Sequence, residues 1–212
     1  MRPACTALLL VLLLSACQTS LLADLAARPG DLLFWDDFSD TSGYWPRASD
    51  EVGTLGFSEG AYRISIDQAN YDLWAVSGHT YRAVQVEADA TRLAGPNANR
   101  LGLICSYRDA DDFFFFIISS DGYYALGRIE NGSARLLGQE MMAYSTAIAQ
   151  GTRTNHLRLE CVDQTLRGSV NDQMLAVAQD DELGPGDAGL IAGAFDEGGV
   201  DIAFDNFRVI KR

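Results

Sequence analysis

The chain has 212 residues, 48% of them hydrophobic, with 29 acidic side chains against 16 basic ones and a formal charge of −13. That length fits one domain around one sizeable core. So acidic a surface repels phosphate backbones and anionic headgroups, which argues against nucleic acid as a partner.

Arg2 precedes an apolar run over 7–14, and the run closes on Leu14-Ser15-Ala16-Cys17. Residues 7–16 are too few to cross a bilayer, which takes about twenty apolar residues. The segment resembles a bacterial lipoprotein signal, in which Leu and two small residues precede a Cys that receives a diacylglycerol before cleavage ahead of it. The resemblance implies a signal peptide at 1–16, acylation of Cys17 with palmitate-like chains, and a lipidated tether at 17–30. Several acyl chains anchor a protein stably, so it also implies export and attachment to the cell membrane on its extracytoplasmic face. Loss of Arg2 takes the charge from −13 to −14, and loss of Cys5 leaves Cys105 and Cys161 to the domain. From Gln18 to the Pro29-Gly30 breaker the chain shows no sustained alternation and has little to bury, as a tether should.

The domain at 31–212 reads as strands and tight turns. Alternation or β-rich composition marks strands at 32–38, 61–66, 72–76, 81–91, 100–107, 113–119, 123–129, 134–137, 156–161, 166–170, 174–178, 188–194 and 200–210, with a brief helical turn at 145–150. Val84, Val86, Ala88 and Ala90 alternate with Gln85, Glu87, Asp89 and Thr91, the pattern of a strand with one wet face. Four consecutive phenylalanines, 113–116, instead require burial on both faces. Asp121-Gly122 and Asn131-Gly132 are pairs suited to type I′ hairpins, and Asn171-Asp172 and Gly198-Gly199 supply further turns. More than a dozen short strands so punctuated predict an all-β fold, a two-sheet antiparallel jelly-roll sandwich. Cys105 shares the phase of Leu101 and Leu103, and Cys161 that of Leu157 and Leu159, so both thiols face the core. In an exported chain that pair predicts a disulfide.

Several segments carry a family likeness: Phe-Trp-Asp-Asp-Phe-Ser-Asp at 34–40, residues 112–122, Thr-Asn-His-Leu-Arg-Leu at 154–159, and Phe-Asp-Asn-Phe-Arg-Val at 204–209. Together they resemble the concanavalin A-like lectin/glucanase superfamily, and within it the extracytoplasmic jelly-roll domains related to laminin G and to 3-keto-disaccharide hydrolases. The resemblance implies the same sandwich. It spans sugar binders and glycan-cleaving enzymes alike, so the activity must be argued from residues.

Gly56-Phe57-Ser58-Glu59-Gly60 matches a hydrolase nucleophile elbow, but an alternating strand follows it where the elbow needs a helix, so it reads as a hairpin. Glu87 and Asp89 put two carboxylates on one strand face, about 6 to 7 Å apart at Cα, and are the catalytic candidates. They resemble the first two acids of the Glu-x-Asp-x-x-Glu strand of laminarinase-like glycosidases, but the third place is Arg92. Neither His79 nor His156 has a partner evident in the sequence. Asp37 and Asp205, near the first and last strands, are candidate ligands of a structural calcium, a cation that takes about six to eight oxygens. No other cofactor is indicated.

Sugar binding needs aromatic faces to stack on pyranose rings and planar polar groups to bond hydroxyls. Tyr71 and Trp74 around one strand, Tyr44-Trp45 in a loop, and Tyr124 with Arg128 on one strand face are the candidates. The favoured reading is a membrane-anchored extracytoplasmic module that binds carbohydrate or another envelope polymer without catalysis. The alternatives are a glycoside-processing hydrolase and a structural or assembly module of the cell envelope.

Overall fold

The computed structural model describes residues 26–212; the expected signal at 1–16, Cys17 and the expected tether as far as residue 25 lie outside the described residues. The first eight strands are β1 (Leu32–Asp36), β2 (Ala48–Ser49), β3 (Gly53–Ser58), β4 (Ala61–Ile66), β5 (Asp72–Val76), β6 (Val84–Ala94), β7 (Asn99–Asp109) and β8 (Asp112–Ile118). They are followed by β9 (Tyr123–Glu130), β10 (Ser133–Leu136), β11 (Ala143–Tyr144), β12 (Asn155–Val162), β13 (Thr165–Val170), β14 (Gln173–Gln179), β15 (Asp187–Ala194) and β16 (Val200–Lys211).

They form two antiparallel sheets packed as a jelly-roll sandwich. The nine-stranded sheet runs β14-β13-β12-β6-β16-β4-β3-β2. Its β16 pairs along one edge with β6, while the other edge is shared between β4, on 200–204, and β1, on 207–210. The seven-stranded sheet runs β10-β9-β8-β7-β15-β5, with β11 on the start of β9.

Alternation sorts side chains between the layers. Val86, Ala88, Ala90, Leu157, Leu159, Ile202 and Phe204 of the larger sheet meet Leu101, Leu103, Phe114, Phe116, Leu126 and Leu190 of the smaller one in the main core. Phe113, Phe115, Ile117 and Ile191 point the other way into a second apolar cluster on the outside of the smaller sheet. The run of phenylalanines is thus buried on both faces, as its composition required. Cys105 of β7 and Cys161 of β12 are joined by a disulfide that ties the two sheets together, with 6.7 Å between their Cα atoms.

A bulge in β16 decides which side chains reach solvent. Val200, Ile202 and Phe204 face inward, Asn206 adopts φ 54°, and the register shifts between Asp205 and Arg208. Phe207 and Val209 then point inward, and Arg208 outward. Uninterrupted alternation would have placed Arg208 on the same side as Phe204.

Each expected strand has its counterpart; β2, β3 and β11 are additional. Glycines 53 and 56 interrupt the alternation of β3, and the other two are only two residues long. The Gly-x-Ser-x-Gly segment is the β3–β4 hairpin, with Glu59 at φ 56° and Gly60 at φ 77°. Asn131-Gly132 and Asn171-Asp172 have positive φ at both residues, as type I′ turns require. Asp121-Gly122 departs from expectation. Only Gly122 has positive φ, and its N–H donates to Ser119 O at 2.9 Å, so a three-residue loop with an αL glycine closes β8 to β9. Residues 145–150 form one hydrogen-bonded turn, Ile148 N to Ser145 O, without a helix.

Gly168 lies on the inner face of β13 beneath Phe116. A Cβ there would sit 2.3 Å from the Phe116 ring. Gly168→Ala is therefore expected to cost about 1–3 kcal/mol by overpacking. Urea unfolding should show a lower midpoint at unchanged m-value; an unshifted midpoint would mean that the two sheets separate freely at this point.

Candidate functional site

The outer face of the nine-stranded sheet is polar. Its pairing registers align Trp35 of β1, Arg208 of β16, Glu87 of β6, Arg158 of β12 and Ser169 of β13 in one row across the strands. At about 4.8 Å per strand the row is roughly 19 Å long. The next row carries Asp205, Asp89 and His156.

Almost every charge on this face is matched from within. Glu87, buried at 7% exposure, accepts from Arg158 Nε at 2.9 Å and from Gln85 Nε2 at 2.5 Å. Arg158 Nη2 also donates to Asp172 at 3.2 Å. Burial works against the Arg158 charge, but the hydrogen bonds and charges of Glu87 and Asp172 outweigh it and hold its pKa above the ordinary arginine value. Asp89 accepts from Asn206 Nδ2 at 2.9 Å and lies 2.8 Å from His156 Nδ1, whose other nitrogen is 3.9 Å from Glu87 Oε2. Glu160 pairs with Arg167 and Arg212. Arg63 pairs with Asp201, whose hydrogen bond raises the Arg63 pKa, and Asp201 accepts from Ser65 Oγ at 3.1 Å.

Two side chains stand apart. Trp35 is 51% exposed, and its register partner Arg208 is exposed with no hydrogen bond or ion pair among the described residues. Gly30, Leu32, Trp35, Arg208 and Ile210 line a shallow groove of about 410 Å³ at this edge.

Glu87 and Asp89 share the expected face, and His156 has a partner that spacing did not reveal. Their chemistry is that of acceptors already engaged by Arg158, Gln85, His156 and Asn206. Arg92, in the place where the laminarinase-like pattern has its third acid, donates to Gly95 O at 2.5 Å.

The other expected residues do not come together. Trp74 lies on β5 of the smaller sheet, and Tyr71, 47% exposed, immediately precedes that strand, on the opposite side of the molecule, where the Trp74 and Phe113 ring centroids are 5.3 Å apart. Tyr124 and Arg128 do share a strand face, but it is the inward one, which corrects their placement on an open surface. Tyr124 packs against the main core, and Arg128 is 4% exposed among Asp112, Glu130 and Asp180. Trp45 is buried and donates its indole N–H to Asp36 at 3.0 Å, while Tyr44 is open to solvent.

Of the calcium candidates, Asp37 accepts from Ser39 Oγ at 2.6 Å and Ser39 N at 3.1 Å, bonds that lower its pKa. Asp205 accepts from Asn206 N at 2.6 Å. Among the described residues no three His, Cys, Asp or Glu side chains converge to hold a metal ion.

The outside of the smaller sheet offers a different environment. A cavity of about 220 Å³ lies between Phe115, Ile117, Ile129, Leu136, Met142 and Ile191, with the Asp72–Arg100 ion pair, 2.7 Å long, at its rim. Burial raises the Asp72 pKa against the opposing pull of Arg100. So few polar groups suit the ring hydroxyls of a sugar less well than the outer face of the larger sheet does.

No protein-family model and no curated protein matches the chain. Solved structures do. The chain is similar to the carbohydrate-binding module CBM66 from Bacillus subtilis, at 17% identity and a TM-score of 0.65 over 80% of this chain and 96% of that one. A Bacillus subtilis protein of unknown function with a galectin-like fold matches at 11% identity and a TM-score of 0.62, covering 87% and 99%. A Bacillus licheniformis β-glucanase matches at 13% identity and a TM-score of 0.60, covering 87% and 100%. Carbohydrate binders and glycosidases thus share this fold, and at these identities the likeness is one of fold.

Proposed function

We propose that the protein is a carbohydrate-binding module without catalytic activity, held by lipid on Cys17 at the extracytoplasmic face of the membrane. The glycan lies across the outer face of the nine-stranded sheet along the row from Trp35 to Arg158. The observation that carries this reading is the exposed Trp35 indole beside the unpaired Arg208, on a face whose other charges are largely satisfied. Trp35 supplies the stacking surface, and Arg208, Arg158 and His156 supply planar polar groups at its side. Glu87 and Asp89 hold these groups in place by accepting their hydrogen bonds, a positioning role that needs no free acid.

Glycan-array binding followed by calorimetry tests it. Trp35→Ala is expected to weaken binding by about thirtyfold, the roughly 2 kcal/mol of an interfacial hot spot, with unchanged thermal stability because the ring is half exposed. Absence of any glycan ligand, or equal binding by Trp35→Ala, would leave the structural-module reading. Release of reducing sugars that vanishes in Glu87→Gln would establish the hydrolase instead. For the anchor, Cys17→Ser should abolish incorporation of labelled palmitate and free the protein from membranes; retention on membranes would refute lipid attachment.

A further inference from the structure

We infer that the glycan is an acidic one, bound through a uronate-type carboxylate on Arg208 while its ring stacks on Trp35. This rests on the carbohydrate-binding reading and narrows its ligand class.

The charges of the face point there. Arg63 is matched by Asp201, Arg158 by Glu87 and Asp172, and Arg167 and Arg212 by Glu160. Arg208 alone among these cations has no partner in the described residues, in a chain whose formal charge is −13. Its nearest acid in register, Glu87, is already committed to Arg158 and Gln85. Phe207 and Val209 are fully buried on either side, so the bulge at Asn206 fixes Arg208 outward.

The neighbouring indole sets the shape of the ligand. Trp35 and Arg208 are cross-strand partners, with Cα atoms about 4.5–5.5 Å apart and side chains on the same face. A pyranose lying on the indole presents a ring-borne carboxylate to the guanidinium at its side. The planar guanidinium receives a carboxylate through two parallel N–H···O bonds, which no hydroxyl can match in charge. Leu32 and Ile210 give the groove an apolar floor for the less polar face of the ring. The overall negative charge of the protein opposes an anionic polymer at long range, but at physiological ionic strength that field is screened beyond about 8 Å, whereas the direct pair is not.

The test compares oligogalacturonate and alginate oligosaccharides with their carboxyl-reduced counterparts, using the mature full chain at physiological salt. Wild type should bind at least one acidic oligosaccharide tenfold or more tightly than its reduced form. Arg208→Gln should erase that preference while keeping the residual affinity for the neutral form, and Arg208→Lys should restore only part of it. Equal affinity for acidic and reduced forms in wild type, or a preference that survives Arg208→Gln, would overturn the acidic class. Neutral glycans bound through Trp35 would then still uphold the binding module, whereas no binding to any glycan would remove both readings.

Discussion

Arg128→Ala is expected to lower the unfolding free energy by about 3–5 kcal/mol, the usual cost of removing one partner from a buried ionic cluster. Arg128 is 4% exposed, and its guanidinium lies 3.3 Å from carboxylate oxygens of Asp112, Glu130 and Asp180 and 5.2 Å from the centre of the Phe114 ring. Asp112 begins β8, Glu130 ends β9, and Asp180 follows β14 of the other sheet, so the cluster closes the sandwich where β9 and β14 meet. Without the arginine, Asp180, whose side chain is only 8% exposed, keeps Arg135 at 3.0 Å and the Glu182 N–H at 3.0 Å but loses the more buried of its two cations. The half-compensated Asp180 carboxylate supplies most of the penalty. Arg128→Met should therefore remain destabilising, and Arg128→Met combined with Asp180→Leu should recover much of the loss. Urea midpoints of the three variants decide it: a shift of less than about 1 kcal/mol for Arg128→Ala would mean that water reaches the cluster and solvates the acids.

The environment of the same residue is not encoded locally in the sequence. Alternation puts Tyr124 and Arg128 on one face of β9, but which face is core depends on the layer above. An arginine at an inward position looks like a surface residue until Asp112 and Asp180, distant in sequence, are seen beside it with Glu130. The two-sheet architecture, the hairpins and the inward cysteines were readable because each rests on a period of two or on turn chemistry within a few residues. Trp35 and Arg208 were not. Trp35 lies in the segment that marks the family likeness and reads there as structural. Arg208 has its direction set by a single-residue bulge, which alternation cannot anticipate. His156 likewise met Asp89 only through the β6–β12 register, a pairing between positions 67 residues apart. What alternation could supply was the pair Glu87 and Asp89 on one strand. What it could not supply was that both accept hydrogen bonds from donors on neighbouring strands, which turns a pair of candidate acids into the frame of the proposed binding face.

Loss of the disulfide is expected to have an effect of similar size by a different route. Cys105 and Cys161 are 56 residues apart, and closing a loop of that length restricts the unfolded chain enough to contribute about 4 kcal/mol on the chain-entropy account. Reduction of the wild-type protein should lower its urea midpoint accordingly. The Cys105→Ala, Cys161→Ala double variant should fall slightly further, because it also empties volume in a core where both residues are buried. The proposed binding face separates this constraint on the unfolded chain from local rigidity. Cys161 lies only three residues beyond Arg158 on β12, yet β12 is held along its length by β6 and β13 independently of the disulfide. Under conditions where the reduced protein remains folded, its glycan affinity should match that of the oxidised form. A large stability loss with unchanged affinity assigns the disulfide to the unfolded state. A loss of affinity in the folded, reduced protein would instead mean that the bridge sets the position of β12, and with it the donors of Arg158 and His156.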